Sequence, residues 1–229
     1  MVGGSLMSLT FKTKTCPSIP DVECTDLANF LIKEKKFLNL TFDLLARKKD
    51  PAINYQSLVN RVMTFYEAKQ LSGNASFSLY LDLLYKYYDT NQYCLNHRRG
   101  CLLELIVKEI RPLKKGINYH IITESMVLYE GVEISPKDID VIILYSDIEL
   151  IECKASVENY LKPEPLEEDK IKKLKLMEDT QKIASKESYD CNIFLATYEA
   201  RDSYPSAVLK RSGFDTFIVL TKSKILNRL

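Results

Sequence analysis

Two neighbouring strand-like segments carry acidic residues that could converge on one spot. Residues 138–144 and 148–155 are apolar and rich in β-branched side chains, and a short polar turn around Ser146 joins them. A tight hairpin centred on Ser146 would place Asp140 opposite Glu152, with Cβ atoms about 4.5–5.5 Å apart. Two carboxylates at that separation repel each other unless a cation or a proton neutralises them. The spacing therefore predicts a site for a hard divalent cation.

A lysine belongs to the same predicted patch. Lys154 is two residues beyond Glu152, so both side chains project from the same face of a strand, while Ile151 and Cys153 point the other way. Mg²⁺ is commonly held by one or two carboxylates, with waters and a substrate phosphate completing its octahedron. An ammonium beside the ion can hold and polarise an attacking water and counter the charge that grows on a reacting phosphate. The chemistry indicated is phosphodiester hydrolysis.

The pattern of these residues resembles a known signature. Asp140, eleven further residues and then Glu152-Cys153-Lys154 in an apolar strand resemble the Asp…Glu-x-Lys motif of the PD-(D/E)XK nuclease superfamily. Asp138 is a rival for the first acid, although Asp140 leads directly into the apolar strand. The resemblance covers about residues 98–221 and is similar in style to archaeal Holliday-junction resolvases, archaeal-virus nucleases and CRISPR-associated accessory nucleases. It implies an enzyme that uses Mg²⁺ or Mn²⁺.

The resemblance also implies functional residues on two helices. The superfamily usually carries a glutamate on the helix before its sheet, and Glu104 is that candidate, with Gly100 one turn earlier to allow close approach. Some branches use a glutamine on the helix after the Glu-x-Lys strand, and Gln181 lies on an otherwise apolar stripe there. The predicted catalytic residues are Glu104, Asp140, Glu152, Lys154 and Gln181, and the predicted metal ligands are Glu104, Asp140, Glu152 and Cys153.

The surrounding elements define the predicted fold. Residues 1–20 contain glycines and prolines without an apolar period and are expected to form a flexible leader. Residues 21–95 show helical periodicity interrupted by turns, which predicts an α-helical N-terminal region of four short helices. Residues 96–229 are expected to form the nuclease core. Its predicted elements are a helix over 96–113, strands at 119–123, 126–129, 138–144 and 148–155, a helix over 166–188, a strand at 191–197, a helix at 204–210 and a strand at 216–220. This order predicts an α/β, restriction-endonuclease-like mixed sheet flanked by helices.

The charge distribution bears on the predicted partner, which is DNA, possibly branched or single-stranded. The formal net charge of +1 gives no whole-molecule attraction to a polyanion, so phosphate contacts must come from local groups of basic residues. Arg98 and Arg99 beside Glu104, and Lys114 and Lys115 at the end of the same helix, are the predicted nucleic-acid-binding residues. Lys170, Lys172, Lys173 and Lys175 on the 166–188 helix are also available to meet phosphates, but the acids among them are typical of a solvated face, so Arg98 and Arg99 are preferred. A homodimer is expected because a duplex has two strands to cut.

Several other classes of protein are disfavoured. The chain has only two histidines and no G-x-x-x-x-G-K-[ST] loop, which argues against histidine-based catalysis and against an ATPase. Cys94, His97 and Cys101 lie close together, but a fourth zinc ligand is missing nearby. No run of about 20 apolar residues and no signal-like N-terminus is present, so we expect no membrane association and a cytoplasmic location, which would be the host cytoplasm for a viral protein.

Two alternatives to a DNA nuclease remain at this stage. One is a non-catalytic DNA-binding or assembly protein built on a nuclease-like fold, with the helical N-terminal region as its partner surface. The other is an RNA-processing nuclease, which would use the same site and differ only in its substrate.

Overall fold

The computed structural model describes residues 8–14, 21–47 and 49–229. Within these residues the strands are β1 Leu9–Thr13, β2 His120–Tyr129, β3 Val132–Leu144, β4 Ile148–Cys153, β5 Cys191–Ala196 and β6 Ile218–Leu220. The helices are α1 Val22–Lys33, α2 Leu38–Arg47, α3 Tyr55–Met63, α4 Tyr66–Leu71, α5 Phe77–Tyr88, α6 Gln92–Val107, α7 Val157–Tyr160, α8 Glu168–Lys186, α9 Ser203–Arg211 and α10 Lys222–Leu226. None of the helices in the described ranges is long and apolar enough to cross a membrane.

One mixed sheet organises the described chain. Its six strands follow in sequence order from β1 to β6, with antiparallel pairing from β1 to β4 and parallel pairing from β4 to β6. Parallel neighbours require a crossover connection, and α8 supplies it between β4 and β5. The α/β class predicted from the sequence is confirmed, with helices flanking a mixed sheet.

The central strands are buried on both faces because helices cover both. Strand β4 is buried along its whole length. Val141, Ile151 and Phe194 pack on the face covered by α6 and the N-terminal helices, whereas Leu150 and Ile193 pack on the face covered by α8. Odd-numbered and even-numbered residues of β4 therefore pack into different hydrophobic cores, as the two-residue period of a strand requires.

The N-terminal helices share a core with α6. Among the described residues, five α-helices lie between Val22 and Tyr88 instead of the four predicted, and α3 and α4 are separated by a turn at Thr64 and Phe65. Asn91 caps α6 by accepting a hydrogen bond from the Cys94 amide. The expected domain boundary at residues 95 and 96 therefore falls inside α6.

The predicted leader contains a strand. Leu9–Thr13 pairs antiparallel with β2, from Leu9 opposite Tyr129 to Thr13 opposite Ser125, and Leu9 is buried. An edge strand gains its order from a partner that is distant in the sequence, which local composition does not reveal. The rest of the predicted leader, residues 1–7 and 15–20, lies outside the described residues.

Strand β2 replaces the two short strands that the sequence predicts. Its pairing with β3 continues through the expected break, from Thr123 to Ser125. Glu124 at the break adopts a positive φ of 45°, and a register irregularity follows between Met126 and Leu128. A left-handed backbone at a residue other than glycine is uncommon. The irregularity lies next to the acidic residues described below.

Candidate active site

The β3–β4 hairpin has the predicted register. Leu144 pairs with Ile148 and Val141 pairs with Ile151, which confirms a turn centred on Ser146. The backbone pairing of the two strands ends at Val141 and Ile151. Beyond this pair, the Asp140 side chain accepts a hydrogen bond at Oδ2 from the Cys153 amide at 2.7 Å. Asp140 is thereby held against the end of β4 that carries Glu152.

Two lysines meet the carboxylate of Glu152. Lys154 Nζ lies 2.6 Å from Glu152 Oε1, and Lys173 Nζ lies 2.7 Å from Oε2. Lys173 Nζ is also 3.8 Å from Asp140 Oδ1 and donates a hydrogen bond to the Asp138 carbonyl oxygen. The Glu152 side chain is only 3% exposed, so these ammonium groups compensate a buried charge. We call Asp140, Glu152, Lys154 and Lys173 the acid–lysine cluster.

Lys173 is the member of this cluster that the sequence analysis missed. It belongs to α8, whose charged composition suggested a solvated face, yet its side chain is only 10% exposed. A signal was present in the spacing: Lys173, Met177 and Thr180 recur at helical intervals and all are buried. Lys173 therefore lies on the inward stripe of the helix, one position before Leu174.

The pKa values of the two acids of the cluster are shifted in opposite directions. Burial raises the pKa of Asp140 to about 8, and the neighbouring charge of Glu152 adds to the effect. Burial also opposes ionisation of Glu152, but Lys154 and Lys173 outweigh it and lower the pKa of that carboxyl. At neutral pH Glu152 carries the negative charge, whereas Asp140 favours a proton. A carboxyl that holds a proton for this reason is one that a metal cation can also neutralise.

Glu104 approaches the cluster from the other face of the sheet. It lines a cavity of about 290 Å³ together with His97, Gly100 and Lys154, and Gly100 leaves the wall open because nothing lies within 4 Å of a Cβ built there. Burial raises the pKa of Glu104 to about 7, with Lys154 lowering it and Glu152 and Glu124 raising it. The structure thus brings Glu104 near Lys154.

Two cavities meet at Lys154. A second cavity of about 240 Å³ is lined by Asp140, Glu152, Lys154, Tyr160 and residues of α8, and Lys154 belongs to its wall as it does to that of the Glu104 cavity. The Lys154 ammonium stacks over the Tyr160 ring, 5.2 Å from the centroid. Lys154 is therefore accessible from both cavities.

Glu124 is a second residue that sequence reasoning missed. It is 8% exposed, and its charge contributes to the raised pKa of Glu104. On β2 it falls between Thr123, paired with Val141, and Ser125, paired with Ile139, which places it alongside Asp140. An acid at an expected break between two strands carries no local signal of this neighbourhood.

Two predicted site residues, Gln181 and Cys153, do not join the cluster in the predicted way, and the rival acid Asp138 has a different partner. Gln181 donates to the Cys191 carbonyl at 2.7 Å, at the start of β5 and therefore at the opposite end of the sheet from Glu152. The Cys153 thiol is buried in the core on the α6 face, where burial raises its pKa well above the usual range and disfavours a thiolate ligand. Asp138 pairs with Lys14 at 2.8 Å, whereas Asp140 is the aspartate whose pKa is raised by the charge of Glu152.

The predicted phosphate-binding arginines have internal partners. Arg98 pairs with Asp21 at 2.5 Å and Glu23 at 3.1 Å and donates to the carbonyls of Lys86 and Tyr87. Arg99 donates to the Leu45 carbonyl at 2.9 Å. The two residues are 8% and 5% exposed. Both guanidinium groups therefore hold helices together, and the expectation that they meet DNA phosphates is corrected.

The role of Arg98 leads to a stability prediction. Replacing Arg98 by methionine should lower the free energy of unfolding by about 2 kcal/mol, because it removes a network of ion pairs and hydrogen bonds between α1, α5 and α6. Urea denaturation measures the loss. Arg201, which is exposed, provides the matched Arg201→Met control, and equal stability of the two variants would contradict the structural role.

Lys114 and Lys115 lie away from the acid–lysine cluster. Lys114 forms an ion pair with Asp147, beside the turn that opens β4, and Lys115 is exposed. Asp147 and Glu152 are separated by the length of β4, about 17 Å at roughly 3.4 Å per residue. These lysines border a separate cavity of about 420 Å³ with Arg228 and Leu229.

The side chains at the site determine which residues could coordinate a metal ion. Among the described residues, no three or more His, Cys, Asp or Glu side chains are arranged to hold an ion. Asp140 and Glu152 alone fit Mg²⁺, which needs only one or two protein carboxylates when waters and phosphate complete its shell. Glu152 Oε2 is buried, and the Lys173 ammonium lies 2.7 Å from it, so this oxygen already faces a cation. The Cys153 thiol does not fit such an ion.

Two comparisons with known proteins find no match. A scan against protein-family models matches no family, and a search of curated proteins finds no match to this chain. The fold and the site therefore define the class: an α/β protein with a mixed sheet and an acid–lysine cluster at one end of the β3–β4 hairpin.

Proposed function

We propose that the chain is a metal-dependent nuclease of the PD-(D/E)XK type that hydrolyses phosphodiester bonds of DNA. The observation that carries this proposal is the convergence of Asp140, Glu152 and Lys154 at one end of the hairpin, with Lys154 Nζ 2.6 Å from Glu152. The order of α6, β2, β3, β4, α8 and β5 supports a restriction-endonuclease-like core around them.

Asp140 and Glu152 would hold Mg²⁺ or Mn²⁺ in this proposal. When bound, the ion supplies Lewis-acid activation and neutralises charge on the reacting phosphate. Glu152 is ionised through its lysine neighbours, and Asp140 releases its proton as it becomes a ligand. The Cys153 amide donates a hydrogen bond to Asp140 Oδ2 and so orients the carboxyl group. The other oxygen, Oδ1, then faces the Lys173 ammonium at 3.8 Å.

Lys154 and Glu104 act on the water and the phosphate. Glu152 and the Tyr160 ring fix the position of the Lys154 ammonium, which polarises the attacking water and counters the negative charge of the transition state. Glu104 lines the cavity on the far side of Lys154, and its pKa of about 7 allows its carboxyl to accept a proton near neutral pH. The two cavities give solvent and substrate access to the same ammonium.

Lysines at the mouth of the Glu152 cavity replace the arginines as phosphate partners in our proposal. Lys137 and Lys170 line this cavity, and each is paired with a nearby acid, Lys137 with Asp169 at 2.5 Å and Lys170 with Glu167 at 3.1 Å. Phosphates give affinity without reading sequence. The acids of both pairs are well exposed, 75% for Asp169 and 57% for Glu167, so water can solvate them when the lysines turn to a phosphate. A single site cuts one strand, so we continue to expect a homodimer on duplex substrates.

Cleavage assays test the proposed function. We expect the protein to cut at least one of linear, branched or single-stranded DNA with Mg²⁺ or Mn²⁺, and to lose this activity with EDTA and in the Glu152→Gln variant. An RNA panel run in parallel tests the RNA-processing alternative. Retained cleavage by Glu152→Gln would refute the site assignment. Metal-independent DNA binding without cleavage of any substrate would support the non-catalytic alternative.

A further inference from the structure

Lys173 occupies the space between the two carboxylates that would hold a metal. Its Nζ lies 2.7 Å from Glu152 Oε2 and 3.8 Å from Asp140 Oδ1, and it donates to the Asp138 carbonyl oxygen. Its stem is fixed in α8, which packs on β3 and β5. The ammonium thus has oxygen neighbours from three residues, which is the environment of a bound cation.

We propose that Lys173 is the internal counter-cation of this site, which a divalent cation must displace from Glu152 before it can bind. The inference rests on the proposed function for the use of the metal, but not for the competition itself. A divalent cation at Glu152 Oε2 and the Lys173 ammonium repel each other, and this repulsion grows as the distance between them falls. Lys154 is not a competitor of this kind because it meets the other oxygen, Oε1.

Displacement of Lys173 would couple the binding of the metal to the binding of a polyanion. The displaced ammonium remains within the same cavity as Lys137 and Lys170, where a substrate phosphate would give it a new partner. The phosphate therefore makes it easier for the metal to displace Lys173, and by reciprocity the metal makes the polyanion bind more tightly. In this role Lys173 is a positioning residue: it keeps the carboxylates in place without the metal and moves to the substrate when the metal is bound.

Direct metal binding tests the inference. Mn²⁺ affinity is measured by calorimetry on the wild-type protein and on Lys173→Met, which keeps the length and packing of the stem without its charge. We expect Lys173→Met to bind Mn²⁺ about tenfold more tightly, the order of a typical coupling between sites. Lys172→Met is the matched control, because Lys172 is the preceding residue of α8 and pairs on the surface with Glu168. Its Mn²⁺ affinity should equal that of the wild type.

A second measurement examines the link to the polyanion. A phosphorothioate DNA oligonucleotide should raise the Mn²⁺ affinity of the wild type several-fold and should have little effect on that of Lys173→Met. Lys173→Arg, which keeps the cation, should behave as the wild type. If Lys173→Met melts at a much lower temperature, Lys173→Gln replaces it in both measurements.

The outcomes separate this inference from the nuclease proposal. Unchanged or weaker Mn²⁺ binding by a folded Lys173→Met or Lys173→Gln protein overturns the inference, even if the wild type cleaves DNA. Tighter binding by these variants supports the competition, even if the wild type cleaves no nucleic acid, in which case only the proposed activity fails.

Discussion

Under the proposed function, replacing Lys154 by methionine should lower the rate of phosphodiester cleavage about 10²–10³-fold, the usual cost of removing one group that stabilises transition-state charge. Lys154 is the ammonium that both cavities share, and Glu152 and the Tyr160 ring hold it in place. Its loss removes charge compensation at the reacting phosphate, whereas Asp140 and Glu152 remain. Single-turnover cleavage at saturating Mg²⁺ measures the effect on the chemical step.

Lys182 provides the control for this prediction. It lies on α8, is well exposed and pairs with Asp179 on the surface, so Lys182→Met should cleave at the wild-type rate. Thermal unfolding of both variants shows whether the loss of activity comes from a loss of folded protein. A Lys154→Met protein that is folded and cleaves at more than a tenth of the wild-type rate would contradict the assigned role.

Under the proposed function, replacing Asp140 by asparagine should abolish Mg²⁺ binding and cleavage, and it should stabilise the metal-free protein at alkaline pH. Burial raises the pKa of Asp140 from 3.8 to about 8, so the folded state binds more protons than the unfolded state between those values. The contribution of Asp140 to the free energy of unfolding is therefore full below pH 3.8, falls as the pH rises through this window and is lost above about pH 8. Asparagine stays neutral and avoids this loss.

Thermal unfolding between pH 5 and pH 9 measures the effect of Asp140→Asn. With EDTA at pH 9 we expect the variant to melt at least about 3 °C above the wild type, which corresponds to roughly 1 kcal/mol in a chain of this size. The difference should shrink towards pH 5. Mg²⁺ should raise the melting temperature of the wild type and leave that of the variant unchanged.

An exposed acid serves as the control for Asp140. Asp179 lies on the surface of α8, and Asp179→Asn should change neither the pH dependence of stability nor the response to Mg²⁺. If Asp140→Asn is less stable than the wild type at pH 9 and still gains stability from Mg²⁺, then Asp140 is a structural carboxylate and the metal site lies elsewhere.

The register of the central hairpin was predictable from the sequence because its causes are local. A polar turn at Ser146 joins two apolar segments, and the two-residue period of a strand then brings Asp140 and Glu152 together and places Lys154 on the face of Glu152. The alternation of helices and strands beyond residue 100 determined the α/β class in the same way, and the structure confirms both.

Residues whose role depends on distant partners could not be predicted in this way. Arg98 and Arg99 are basic residues beside Glu104 in the sequence, yet α1, α2 and α5 supply acids and carbonyl groups that bury them. Gln181 is polar on an apolar stripe, and the amide is satisfied by β5 at the far end of the sheet. Local patterns show that such groups need partners but not which partners they find.

Lys173 shows the same limit at the site itself. The sequence determined that acids and a lysine converge on one hairpin, whereas only the tertiary structure decided that α8 inserts a second ammonium between Asp140 and Glu152 and that Glu124 approaches from β2. The physical reason is that a lysine on a helix can point to solvent or inward with similar local energy. Buried carboxylates on a neighbouring strand decide between the two, and they become its neighbours only when the chain has folded.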